Sequence, residues 1–166
     1  MNSLTRAVNA TLMPGFVGPV LPDWLAAELA DGLGSVCLFG TNIVDPAQVR
    51  ALCDAMHAAN PAVLIATDEE GGDVTRLHHL TGSPYPAMAH LGRVDDERLT
   101  ERVGAGIGAE LVAAGIDLNL APDADVNSNP RNPVIGVRSF GADASLVARH
   151  VAAYTRGLQA AGVAAC

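Results

Sequence analysis

Ala62-Val63-Leu64-Ile65-Ala66-Thr67-Asp68-Glu69-Glu70-Gly71-Gly72-Asp73-Val74-Thr75-Arg76 decides the reading of this chain. An apolar, β-rich run over residues 63–66 delivers three consecutive carboxylates, Asp68, Glu69 and Glu70. Gly71 and Gly72 then break the strand, and Arg76 follows. In α/β proteins, sites are built at the carboxyl ends of strands. Acids placed there are costly unless paired or used, so this segment is a site candidate on physical grounds alone.

Strand and helix patterns alternate outward from it, as in a parallel α/β sheet. Strands are expected over residues 11–17, 35–39, 62–67 and 116–121, with a further one opening at 163–165. Helices are expected over 22–33, 45–59, 96–114 and 143–161. Asp45 followed by Pro46 is a helix start; Gly34, Gly115 and Gly162 are helix stops. This makes about four βα units plus the start of a fifth strand. Two long segments without regular structure, 71–94 and 126–141, each follow a strand end. Loops of that length are often functional, and both are expected on one face of the sheet, beside Asp68 and Asp125.

Composition narrows the function. The chain has 166 residues, 49% of them apolar and 4% aromatic, and a net charge of -8. That charge argues against nucleic-acid and anionic-membrane partners. All ten basic residues are Arg, which removes lysine chemistry such as a Schiff base or a phosphate-loop lysine. Cys37, Cys53 and Cys166 match no metal-binding spacing and are expected to be reduced thiols, which suits a cytoplasmic location. No run approaches the ~18 apolar residues of a membrane span. Gly104-Ala105-Gly106-Ile107-Gly108-Ala109 has the glycine pattern of a dinucleotide site, but it follows a helical run where that motif needs a strand. These glycines are expected to let a helix pack closely on the sheet.

In an extended chain Asp68 and Glu70 point to one side and Glu69 to the other, with the Cα atoms of the first and third about 6.5 Å apart. Such a pair suits a glycosidase, a divalent metal, or a turn cap beside solvated acids. Arg76 and Arg138 lie in the two long loops and can pair with acids or fork onto ligand oxygens. Arg131, before Asn132-Pro133, reads as a turn residue. His78 and His79 lack the helical spacing of a metal site, and no metal or cofactor is expected. His57, His90 and His150 are expected to be solvated.

Taken together, two segments resemble glycoside hydrolase family 3. Asp68-Glu69-Glu70-Gly71-Gly72 with Val74-Thr75-Arg76 is similar to its D-x-E-G-G-x-V-x-R motif. Ala121-Pro122-Asp123-Ala124-Asp125-Val126, then Asn132-Pro133-Val134-Ile135-Gly136-Val137-Arg138-Ser139-Phe140-Gly141, is similar to its A-P-x-x-D-V and N-P-x-I-G-x-R-S-F. The match is to the bacterial β-N-acetylglucosaminidase branch and runs from Met13-Pro14-Gly15-Phe16 to Val163-Ala164-Ala165. Asp73 stands where the family often has Arg, and Val137 where it often has Glu.

The resemblance implies the first half of a (β/α)₈ barrel, and retaining hydrolysis of a terminal β-linked N-acetylglucosamine or related sugar. It implies that Asp68 accepts hydrogen bonds from sugar hydroxyls, that Arg76 and Arg138 hold the sugar or orient Asp68, and that Glu70 is structural. The family's K-H-F-P-G-H-G segment, its acid/base His and its nucleophilic Asp lie beyond residue 166, and a whole barrel needs ~250 residues. Residues 1–166 are therefore expected to be one partial domain with substrate-binding residues, no catalytic pair and no turnover alone. The rival expectation is a non-catalytic sugar-binding module, or a half barrel that self-associates through open sheet edges near Val163 and Thr11.

Overall fold

The computed structural model describes residues 3–166. Its frame is a parallel four-stranded sheet in the order β1-β2-β3-β4. The strands are β1 (Ser35–Leu38), β2 (Leu64–Thr67), β3 (Leu118–Asn119) and β4 (Ala164–Ala165). Leu38 pairs with Thr67 and Thr67 with Asn119, so three strand ends lie side by side. The helices are α1 (Ser3–Asn9), α2 (Asp23–Ala30), α3 (Pro46–Ala59), α4 (Met88–Val94), α5 (Glu97–Ala114) and α6 (Ala144–Ala160).

The helices begin where the sequence places acceptors for their unpaired amides. Asp45 accepts from Gln48 N, Asp96 from Arg98 N and Leu99 N, and Asp143 from Leu146 N. Each such cap is worth ~1 kcal/mol. Gly115 ends α5 in the left-handed region, at φ 81°. Leu25 and Leu29 of α2, Ile65 of β2 and Ile107 and Leu111 of α5 are almost wholly withdrawn from solvent. Burial of each such side chain favours folding by about 1.5–3 kcal/mol.

The structure departs from expectation in three places. Residues 11–17 form no strand: they meet β1 through bonds from Cys37 N to the Pro14 carbonyl (3.0 Å) and from Ser35 Oγ to the Leu12 carbonyl (2.9 Å), and Pro14, having no N–H, cannot donate back. The sheet of the described residues therefore has four strands, β4 being the one expected to open at 163–165. The short helix α4 occupies the end of the 71–94 segment expected to be irregular, where Met88 and Leu91 bury it in the core; α1 lies ahead of the first expected element. Lastly, Gly104 and Gly108 of α5 pack it against α6 and not against the sheet, while Gly106 faces the Tyr85 ring. A Cβ at Gly104 would strike the Tyr154 carbonyl of α6, one at Gly108 the Ala161 methyl, and one at Gly157 of α6 the Glu101 carbonyl. The two backbones touch because side chains are absent there.

Candidate functional site

The three acids at the end of β2 have three different environments. Asp68 accepts from Arg76 Nη2 at 2.9 Å, and both side chains stay partly open to solvent, at 23% and 29%. Glu69 is fully buried, and its Oε2 accepts from the main-chain amides of Arg76 (2.8 Å) and Leu77 (2.9 Å). Glu70 is nearly buried and receives a two-toothed grip from Arg138: Nε to Oε2 at 3.0 Å and Nη2 to Oε1 at 2.8 Å. The side chains so placed in succession serve a partly open ion pair, a main-chain anchor and a staple between loops.

The glycines make the fold-back possible. Gly71 (φ 88°) and Gly72 (φ 59°) sit in the left-handed region, where a side chain is strained. They let Glu70 N donate to the Val74 carbonyl at 2.9 Å and return Arg76 over the acids. The strand ends are locked from below. Asn119 accepts from Glu69 N (2.9 Å) and donates Nδ2 to the Glu69 carbonyl (2.8 Å). Tyr154 donates its hydroxyl to the Glu69 and Glu70 carbonyls, each at 3.2 Å. Burial, then the charges of Glu69 and Glu70, push the Tyr154 phenol well up, so it remains a donor. Sequence reasoning passed over both residues; a lone amide between Leu118 and Leu120 was the available signal for Asn119.

The second loop closes over the first. Arg138 also lies 3.4 Å from Asp123 Oδ2. Its hydrogen bond to Glu70 is the main cause holding the guanidinium pKa above its ordinary value. Asp123 is raised instead, because desolvation outweighs the attraction of Arg138. Asp125 is exposed; its N–H donates to Asp123 Oδ1 at 2.7 Å and its carbonyl accepts from the Ser139 hydroxyl. Arg131 is exposed, its N–H bonded to Asn129 Oδ1 at 3.1 Å, as befits a turn.

The remaining candidates separate from this centre. His78 pairs through Nε2 with Glu110 at 2.7 Å, and Tyr85 donates to the other Glu110 oxygen at 3.0 Å. Burial first, then that bond, raises the Tyr85 phenol to about 12. Arg76 passes over the Phe39 ring at 6.0 Å. No group of three or more His, Cys, Asp or Glu among the described residues is placed to hold a metal ion. His90 is exposed as expected. His57 pairs with Asp117 at 3.0 Å. His150 overturns the expectation of solvation: it is fully buried, bonded to Thr100 Oγ1 (2.8 Å) and Asp95 (3.1 Å), and stacked on Phe140. Cys37 and Cys53 are buried free thiols, Cys53 pushed up to about 12 mainly by desolvation, and Cys166 is exposed. No helix among the described residues is long and apolar enough to cross a membrane.

A parallel α/β sheet that gathers ionisable side chains at its strand carboxyl ends has the arrangement on which barrel-type domains build their sites. The glycosyl hydrolase family 3 N-terminal domain matches residues 15–166, and the chain belongs to that family. It is 39% identical over 148 residues to a β-hexosaminidase of Pseudomonas aeruginosa, a match covering 86% of this chain and 44% of that one. A β-hexosaminidase of Bordetella pertussis is 39% identical over 165 residues, with 90% and 47% covered. The chain thus spans about half the length of these curated relatives. Among solved structures, a family 3 β-N-acetylglucosaminidase from Paenibacillus superposes with a TM-score of 0.91 at 40% identity, covering 99% of this chain and 32% of that one. A β-N-acetylhexosaminidase from Beutenbergia cavernae gives 0.85 at 31%, with 99% and 53% covered.

Proposed function

We propose that this chain supplies the non-reducing-end sugar subsite of a retaining β-N-acetylglucosaminidase, with Asp68 and Arg76 contacting the sugar and Arg138 supporting them in the same substrate-binding site. The observation that carries the reading is the Asp68–Arg76 pair: a carboxylate and a guanidinium, 2.9 Å apart and both still open to solvent at a strand end. Asp68 retains acceptor capacity for sugar hydroxyls, and Arg76 retains N–H donors for ring-substituent oxygens. Arg138 acts at one remove, by fixing Glu70 and hence the floor under Asp68. The relatives' names, β-hexosaminidase and β-N-acetylglucosaminidase, support a β-linked N-acetylhexosamine as the sugar. In the retaining mechanism a nucleophilic carboxylate forms a glycosyl-enzyme, which water then hydrolyses. In this reading residues 1–166 are one partial domain, and the nucleophile and the acid/base are supplied from outside them. Three free thiols support a reducing compartment, the cytoplasm.

The test uses the purified 166-residue chain. Titration with N-acetylglucosamine should perturb the NMR signals of Asp68, Arg76 and their neighbours. A chromogenic β-N-acetylglucosaminide should not be hydrolysed above the buffer rate. Turnover by this polypeptide would overturn the assignment of the catalysts elsewhere, and absence of any sugar response would overturn the subsite. A second reading, self-association of half barrels, is favoured by β4 lying at the sheet edge with its outer side unpaired among the described residues. Sedimentation as a monomer at all concentrations would remove it.

A further inference from the structure

We infer that Glu69 is the positioning residue of the Arg76 clamp: its buried carboxylate holds the main chain of Arg76 and Leu77 so that the guanidinium meets Asp68. An ionised group fully withdrawn from solvent costs several kcal/mol unless its oxygens are well satisfied. Ion pairs commonly settle such a cost, yet here the partners are two successive main-chain amides, at 2.8 and 2.9 Å, both on Oε2. Oε1 is buried and without a partner. A carboxylate placed this way has a specific consequence: it ties down one turn of the chain, the turn that carries Arg76.

The anchor itself cannot drift. Glu69 N and its carbonyl are both bonded to the Asn119 side chain, and Tyr154 adds a third bond. The load is therefore passed from Arg76 through the Glu69 side chain to β3 and α6. Adjacent acids divide one arginine between them: Glu69 takes its amide and Asp68 its guanidinium. Other fastenings of the loop are more peripheral. His79 Nδ1 meets the Arg76 carbonyl at 3.0 Å on an exposed side chain, and the His78–Glu110 pair is about one-third exposed. The Glu69 end of these bonds is fully buried, where a hydrogen bond is stronger. The inference rests on the proposed function only in naming the sugar as what the clamp holds.

The test compares Glu69→Ala and Glu69→Gln in the 166-residue chain, with and without Arg76→Ala, by amide hydrogen exchange and N-acetylglucosamine titration. In Glu69→Ala, exchange at Arg76 and Leu77 should rise about tenfold or more relative to Ile65, and sugar affinity should fall about tenfold. With Arg76 already Ala, the Glu69 change should weaken the sugar no further. Gln still offers one oxygen to both amides, so it should restore exchange and affinity to within about twofold of the parent. Should Glu69→Ala not fold, Glu69→Asp replaces it; its arm is one carbon shorter, and exchange at the same two amides must still rise. Unchanged exchange at those amides would overturn the inference, as would a full Glu69 effect persisting without Arg76. If the parent shows no sugar response, the proposed function falls, and the exchange result alone decides the role of Glu69.

Discussion

The two acid–arginine pairs of this site look alike in sequence and differ in what they can do. Asp68 and Arg76 are eight positions apart, joined by one 2.9 Å bond, and both remain partly in water. Glu70 and Arg138 are 68 positions apart, joined by a bidentate contact, and Glu70 keeps only 4% of its exposure. The first pair is local and open, so a ligand can displace water from it at small cost. The second joins the loop after β2 to the loop after β3, and its carboxylate has no oxygen left for a ligand. The difference shows that charge density at a strand end does not by itself mark ligand contact. What separates binder from brace is which oxygens the fold has already used.

Removing the brace should have the largest effect. Glu70→Ala strands the Arg138 guanidinium beside Asp123 and cuts the tie between the two loops. A loss of about 3 kcal/mol in unfolding free energy is expected, read from urea denaturation. A loss below about 1 kcal/mol would mean the pair is worth no more than a surface contact. Removing the binder should invert the pattern. Arg76→Ala breaks a single-bond pair still partly open to solvent, so stability should change by less than about 1 kcal/mol. Sugar affinity should fall by about tenfold or more, equivalent to about 1.4 kcal/mol, read by NMR titration of the same variant. If Arg76→Ala destabilises as much as Glu70→Ala while leaving affinity intact, the two roles assigned here are exchanged.

Neither pair is read from spacing alone, and the sequence encodes the two differently. Arg76 is tied to Asp68 within one βα loop, and the glycines that fold the loop back are written between them. The helix starts at Asp45, Asp96 and Asp143 were legible for the same reason: a cap is a contact over three residues. Glu70–Arg138 depends on how two strand ends are placed by the whole sheet, and no spacing encodes that. Only the resemblance to the family suggested a structural Glu70. The α5 glycines illustrate the same limit. Their spacing announces a close approach, but the partner, α6, lies some fifty residues further on. Pro14 shows the converse: residues 11–17 carry a strand-like composition, and the missing N–H decided against it. His150 was misjudged because a helical position does not tell which side faces Phe140 and Thr100.

The smallest expected effect lies in Asp123, the acid to which the brace gives only its longer contact. Asp123 stands 3.4 Å from Arg138, yet desolvation, the largest cause, holds its carboxyl above the ordinary carboxylate range. Arg138 has already given its shortest bonds to Glu70. A carboxyl whose folded pKa is raised binds more protons folded than unfolded between its unfolded pKa, about 3.9, and its folded value. By linkage its contribution to stability falls as pH rises through that window, and the cost is fully present above it. Asp123→Asn removes the titration and should flatten this part of the stability–pH profile. It should also leave the variant slightly more stable relative to the parent at pH 7 than at pH 4. The opposite slope would mean that Arg138 serves Asp123 as a true ion-pair partner. The division of labour between Glu70 and Asp123 would then be wrong, while the Asp68–Arg76 clamp would be untouched.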